Sequence, residues 1–195
     1  MTRKSPTRIA HFITTLLWLC VLATIAAWAW RLPMMEAVRE GWRLGRLPAP
    51  TSLPVPVEGV DAGRIADTWG AARSQGRTHE GVDIFAPSGT PVVSSTRGVV
   101  ARVADYGLGG KQVWVIGPAG ERHYYAHLDG FAADIARNDV VRPGSLLGYV
   151  GDTGNARGTP PHLHYGIYAA GGAYNPWPLL QAHRNDDASA TPRSE

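Results

Sequence analysis

The sequence predicts an all-β domain, an antiparallel sandwich or rolled sheet, preceded by one transmembrane helix. A stretch near the start carries no charged residue, and a proline-rich segment separates it from the rest. The remainder is a series of short runs rich in Val, Ile, Tyr and Trp, which Gly and Pro interrupt. With 195 residues, 44% of them hydrophobic, the chain is long enough for one such domain and too apolar to be disordered.

The first two segments are a short cytoplasmic N-terminus, residues 1 to 8, and a transmembrane anchor from Ile9 to Trp30. The anchor contains no Asp, Glu, Lys or Arg. As a helix it would be about 33 Å long, enough to cross a hydrocarbon core of roughly 30 Å. A cleaved signal peptide is the alternative, because Ala27-Trp28-Ala29 has the pattern of a cleavage site. Basic residues lie on both sides, so charge does not decide the orientation.

Residues 31 to 56 are predicted to link the anchor to the domain. Pro33 to Leu44 has apolar residues near helical spacing, which predicts a short juxtamembrane helix. Leu47 to Pro56 is rich in proline and predicts a stiff, extended linker. The domain is expected from 57 to 180, and the polar residues 181 to 195 are expected to form a flexible tail.

Six segments of the domain have the composition of strands. One short helix is predicted, from Phe131 to Asn138, and Gly117 to Gly120 predicts a hairpin turn. The predicted strands are Pro91–Ser94, Gly98–Ala104, Gln112–Ile116, Arg122–His127, Leu146–Val150 and Leu163–Tyr168.

The overall charge and the single cysteine limit what the domain can bind. The formal net charge is +3, from 19 basic and 16 acidic residues, which is too small and too evenly spread to indicate a nucleic-acid partner. One cysteine excludes an intramolecular disulfide and a cysteine-rich zinc finger. Any metal site must therefore use histidine and carboxylate ligands.

Two histidine motifs have the spacing of metal ligands. On a straight strand His79 and Asp83 would be about 13 Å apart, too far to share one ion at about 2 Å per bond. A shared metal therefore requires a bend, which Gly81 makes inexpensive. His162 and His164 are two residues apart on a predicted strand and leave the same face, so that one can bind the metal and the other can stand over a bound water. Three protein ligands with an open fourth position are typical of catalytic zinc.

Five segments of the domain carry a family resemblance: Thr78–Ile84, Ala86–Val92, Tyr124–Leu128, Gly148–Gly154 and Pro161–Tyr165. Through these motifs the chain resembles the lysostaphin/LytM-type zinc endopeptidases, which cut peptide bonds in peptidoglycan. The resemblance extends over about residues 76 to 178. It implies the family's antiparallel β fold, a duplicated hybrid motif, with the active site in a groove across the sheet.

Carried over position by position, the resemblance implies specific roles. It implies zinc ligands at His79, Asp83 and His164 and an unligated catalytic pair at His127 and His162. Which of the pair accepts a proton stays open. A tyrosine that some members place before the first motif has no counterpart, and Arg73 lies in that region.

Strand alternation extends these expectations to neighbouring residues. His123 and Tyr125 have the same parity as His127 in a predicted strand, so they are expected on the same face. His123 would then lie at the rim of the site. Tyr125, together with Tyr165, would be a candidate wall of the groove.

The expected function is a membrane-anchored zinc metalloendopeptidase that hydrolyses cross-links or stem peptides of peptidoglycan. Because peptidoglycan lies outside the cytoplasmic membrane, we expect a single-pass protein of the cell inner membrane with its domain in the periplasm. Secretion after signal cleavage is the alternative. Two other functions stay open: a non-catalytic regulator that activates a cell-wall amidase, and a peptidoglycan-binding module. An activator or divisome partner is left unspecified.

Overall fold

The computed structural model describes residues 6–32, 35–73 and 76–190. The chain divides into two compact units, Met1–Arg39 and Glu40–Glu195. The first unit contains helix α1 (Pro6–Ala29). Residues Ala10–Ala29 of this helix have a mean hydropathy of 2.1 and no buried side chain, so the helix is long and apolar enough to cross a membrane.

A second helix, α2 (Glu36–Leu44), begins in the first unit and ends in the second. It lies where a juxtamembrane helix was expected, although Pro33 and Met34 lie outside the described residues. Within the second unit, Glu40 forms an ion pair with Arg97, and Leu44 is fully buried. The end of α2 is therefore part of the folded domain.

The second unit is built on an antiparallel sheet, as the sequence predicts. The strands are β1 (Val82–Phe85), β2 (Pro91–Val93), β3 (Gly98–Asp105), β4 (Lys111–Ile116), β5 (Arg122–Phe131), β6 (Val140–Val141), β7 (Leu146–Val150), β8 (His162–Ala169) and β9 (Gly172–Tyr174). Their order is β1-β8-β5-β4-β3-β6, and β9 pairs with β8. The long strand β5 also pairs with β7 near its end, and β7 pairs with β2, so the sheet rolls over a single apolar core.

The helix predicted over Phe131–Asn138 is wrong. Strand β5 continues to Phe131, and the chain then makes turns up to β6. The carboxylate of Asp139 accepts a hydrogen bond from the backbone N–H of Ala136 at 2.7 Å, and Asn138 has φ +76°. Asp and Asn stabilise turns in this way, and here their turn preference outweighs the helical spacing of the apolar residues.

The two ends of the domain also differ from the expected boundaries. Leu53, expected in an extended linker, is buried in the core, and its N–H donates to the carbonyl of Leu179 at 3.0 Å. A third helix, α3 (Trp177–Ala190), occupies most of the segment expected to be a flexible tail. Leu180 is fully buried, and the side chain of Gln181 donates to the carbonyl of Ala62 at 2.6 Å. These contacts join segments far apart in the sequence, which local composition does not predict. Residues 191–195 lie outside the described residues.

Candidate metal centre

The first motif brings its two side chains together across a bend. The chain bends at Gly81, just before β1, and Nε2 of His79 lies 2.9 Å from Oδ1 of Asp83. Gly81 has a second role that the sequence did not reveal. A Cβ at this position would lie 2.6 Å from Cε1 of His164 and 2.7 Å from the carbonyl oxygen of Tyr165. Glycine is therefore needed here to make room for an imidazole ring.

The second motif meets the first through strand pairing. Strand β8 runs antiparallel beside β1, with His164 directly opposite Asp83. Nδ1 of His164 lies 3.2 Å from Oδ1 of Asp83 and 2.8 Å from Nε2 of His79. One ligand atom from each residue lies within 4.8 Å of the others. Two imidazole nitrogens and one carboxylate oxygen at this separation fit a divalent ion such as Zn²⁺.

Thr68 orients both residues of the first motif. Its carbonyl oxygen lies 2.7 Å from Nδ1 of His79. Because a carbonyl only accepts hydrogen bonds, Nδ1 carries the proton and Nε2 presents its lone pair to the cluster. The hydroxyl of Thr68 accepts a hydrogen bond from the backbone N–H of Asp83 at 3.0 Å. Thr68 was not singled out from the sequence, since it lies 11 and 15 residues away from the groups it orients.

Two more imidazole rings stand beside the cluster. Nδ1 of His162 lies 2.8 Å from the carbonyl oxygen of Pro160, and Nδ1 of His127 lies 2.9 Å from that of Thr153. By the same argument each ring is protonated on Nδ1, which leaves Nε2 as a base. The two ring centroids are 5.2 Å apart, and Nε2 of His162 is 4.0 Å from Oδ1 of Asp83. The five residues expected to form the site are therefore brought together.

His127 reaches the site through a β-bulge. The pairing of β5 with β4 shifts register here, and His127 has φ +63°, in the left-handed region that residues other than glycine adopt rarely. Its backbone N–H donates to the carbonyl of Gly109 at 2.9 Å, which holds the bulge in place. The extra residue turns the side chain of His127 to the face that carries His164, at 5.8 Å between ring centroids.

The expectation for His123, Tyr125 and Tyr165 is wrong, and for the first two the bulge is the reason. All three are fully buried on the core side of the sheet. The Tyr165 hydroxyl lies 2.8 Å from Nδ1 of His123 and 2.6 Å from Oγ of Ser95. Tyr165 also alternates with His164 on a regular strand and so cannot share its face. Tyr124 occupies the site face instead, with its ring centroid 5.7 Å from that of His164.

Burial and neighbouring charges shift the pKa values of the site. Burial alone would raise the pKa of Asp83, but hydrogen bonds and charges from His164 and His79 hold it far below its usual range. Burial, with smaller contributions from the neighbouring histidines, lowers the pKa of His127 to about 4. Burial also lowers the pKa of His164. At neutral pH, therefore, Asp83 is ionised and both of these imidazoles are neutral.

The family model of peptidase family M23 matches residues 77–176. The L-Ala–D-Glu endopeptidase of Bacillus subtilis is 42% identical over 126 residues, which are 59% of this chain and 39% of that protein. The DD-carboxypeptidase/endopeptidase Mpg of Neisseria meningitidis serogroup B is 41% identical over 112 residues, 57% of this chain and 23% of that protein. The chain therefore spans well under half the length of these curated relatives.

A solved structure has the same fold. The catalytic domain of the antimicrobial peptidase lysostaphin from Staphylococcus simulans superposes with a TM-score of 0.53 at 30% sequence identity. The match covers 62% of this chain and 95% of that domain.

Proposed function

Because the chain belongs to peptidase family M23, we propose that its β domain is a zinc-dependent endopeptidase that hydrolyses peptide bonds of peptidoglycan. The observation that carries this proposal is the convergence of His79, Asp83 and His164 beside two further oriented imidazoles. The relatives described above are named as endopeptidases, although their names specify different bonds. The proposal therefore extends to the class of substrate and leaves the bond to experiment.

In this proposal His79 through Nε2, Asp83 through Oδ1 and His164 through Nδ1 hold the metal. A Zn²⁺ ion held there would polarise the scissile carbonyl and lower the pKa of a bound water to about 7. The rings of His127 and His162 stand beside this position. Nε2 of one ring would accept the proton of the attacking water. The other ring can donate a hydrogen bond to the carbonyl oxygen, as negative charge develops there, only as the imidazolium, which carries a second proton on Nε2.

We propose that α1 anchors the enzyme in the cytoplasmic membrane and that the β domain lies in the periplasm. The apolar length of α1 supports the anchor, and the extracytoplasmic position of the substrate supports the orientation. Protease added to intact spheroplasts should digest the β domain of the full-length protein. A domain protected until the membrane is lysed would contradict the orientation, and a mature protein that begins after Ala29 would contradict the anchor.

The experiment that tests the activity is mass spectrometry of peptides released from purified sacculi. The full-length chain in detergent should release peptides, EDTA should abolish the release, and a stoichiometric amount of Zn²⁺ should restore it. Stimulation of a cell-wall amidase without peptide release by the protein itself would overturn the proposal in favour of a regulator. Sacculus binding with neither activity would identify a binding module.

A further inference from the structure

A short two-stranded ribbon carries an arginine to the metal centre. The backbone N–H of Arg73 donates to the carbonyl of Arg77 at 2.9 Å, and that of His79 donates to Ala71 at 2.9 Å. One strand of the ribbon thus carries the candidate ligand His79, and the other carries Arg73. The position of Arg73 is tied to that of the ligand through these hydrogen bonds.

The two oxygens of Asp83 have different partners. Oδ1 faces the candidate ligand atoms, 2.9 Å from Nε2 of His79 and 3.2 Å from Nδ1 of His164. Oδ2 accepts a hydrogen bond from the guanidinium of Arg73. The carboxylate is 8% exposed and the arginine side chain 37% exposed, so the arginine approaches from the solvent side of a sheltered group. A charge-assisted contact in such a place is strong and directional.

We propose that Arg73 is a positioning residue that restricts Asp83 to coordination of the metal through one oxygen. The inference rests on the proposed function only in requiring that a metal is bound by the three candidate ligands. A carboxylate can bind a metal through one oxygen or through both. The guanidinium occupies Oδ2, so only Oδ1 is presented to the ion.

The consequence concerns the open position of the metal. A zinc site with three protein ligands keeps its fourth position for water and substrate, and the ion readily accepts a fifth ligand. In a variant without Arg73, Oδ2 would lie in a sheltered site with no donor to satisfy it, and the nearest cation would be the metal. The carboxylate would then chelate the ion through both oxygens and crowd the position that the reaction needs.

The test uses Co²⁺ as a spectroscopic probe in the full-length protein. The metal is removed, one equivalent of Co²⁺ is added, and the visible absorption is recorded for the wild type, Arg73→Gln and Arg73→Lys. A four-coordinate Co²⁺ site absorbs more strongly than a five-coordinate one. We expect Arg73→Gln to lower the molar absorptivity roughly twofold. Arg73→Lys keeps a long side chain that can donate one hydrogen bond to Oδ2, so it should keep the wild-type spectrum. The glutamine amide is also a donor, but it ends about two bonds short of the guanidinium group and so leaves Oδ2 without its partner.

Arg142→Gln is the matched control, since it removes the same charge from an exposed position just after β6, at the opposite edge of the sheet. It should leave the spectrum unchanged. If Arg73→Gln does not fold, Arg73→Met, which keeps more of the aliphatic stem, replaces it. A Co²⁺-loaded Arg73→Gln or Arg73→Met protein with the wild-type spectrum would overturn the proposal.

The spectrum separates this inference from the proposed function. A wild-type protein that binds Co²⁺ and shows the expected change in Arg73→Gln, yet releases nothing from sacculi, would refute the peptidase and support the role of Arg73. In an active enzyme, crowding of the open position should lower kcat about tenfold or more in Arg73→Gln, and Arg73→Lys should restore it.

Discussion

The neighbouring strands β5 and β8 both bring histidine to the metal centre, but through different backbone geometry. Strand β8 is regular, so His162 and His164, two residues apart, lie on the same face of the sheet. Strand β5 contains a bulge, so His123 and His127, four residues apart, lie on opposite faces. On a regular strand the sequence spacing decides which face a side chain occupies. On β5 a single residue with positive φ decides it.

The largest expected effect distinguishes a metal ligand, Asp83, from the two histidines that bind no metal, His127 and His162. Asp83→Ala should lose the metal and reduce peptide release from sacculi to background. His127→Ala and His162→Ala should both keep stoichiometric zinc and lose about 10²–10⁴-fold in kcat. Metal analysis and sacculus digestion of the same preparations measure both quantities. Wild-type turnover in either histidine variant would remove that residue from the catalytic pair, whichever strand it comes from.

A smaller effect tests whether the His164 ring of β8 needs the space that Gly81 leaves beside it. Gly81→Ala places a Cβ against the His164 ring and the Tyr165 backbone, so it should displace the ligand and weaken zinc affinity about 10- to 100-fold. Gly171→Ala is the matched control, because nothing lies within 4 Å of a Cβ there. Chelator competition measures both affinities. Equal affinities in the two variants would show that the His164 ring can move at no cost.

The next effect concerns His123, the histidine of β5 that lies on the core side of the sheet. Burial lowers the pKa of His123 to about 3, whereas an unfolded histidine titrates near 6.5. Between these values only the unfolded state binds the proton, so stability is complete above about pH 6.5 and is lost on acidification. Through this ring, the free energy of unfolding should fall by about 1.4 kcal/mol for each unit by which the pH is lowered between these two values.

Denaturant unfolding of the wild type and His123→Gln over this pH range measures the contribution. The variant should show a shallower dependence of the unfolding free energy on pH, since it lacks the contribution of His123. Parallel curves for the two proteins would mean that His123 is solvated, and would contradict its place on the core face.

The smallest effect compares the backbone conformation of β5 at His127 with that of β8 at His162. At His127, glycine should be more stable than alanine by about 1 kcal/mol, because φ +63° strains any residue with a Cβ. At His162, on the regular strand, the order should reverse, with alanine favoured by about 0.5–1 kcal/mol. Urea unfolding of the four variants gives both differences. The same sign at both positions would contradict the bulge.

The contrast between the regular strand and the bulged strand also describes which parts of the site the sequence predicts. The alternation of His162 and His164 and the bend between His79 and Asp83 depend on residues a few positions apart, and the structure has both. The face of the sheet on which His123 lies depends on the bulge, which the hydrogen bond from His127 to Gly109 holds in place. The alternation of residues within one strand cannot predict this contact. The ligand-orienting role of Thr68 also depends on how distant segments fold together.

The fold was predictable to a similar extent. The six strands with clear β composition are present, whereas β1, β6 and β9, of two to four residues each, were not predicted as strands. The docking of Leu53 and of α3 adds apolar and hydrogen-bonded contacts at both ends of the domain, and neither end has a local signal for them.

The orientation of three histidines has a consequence for how this centre tolerates change. His79, His127 and His162 each place Nδ1 against a main-chain carbonyl, of Thr68, Thr153 and Pro160 respectively. No side-chain replacement can delete a carbonyl, so alanine scanning of these loops would miss the contacts altogether. Loops around the centre can therefore drift in sequence while the imidazole tautomers stay fixed, and only amide-to-ester replacement of the backbone would weaken them.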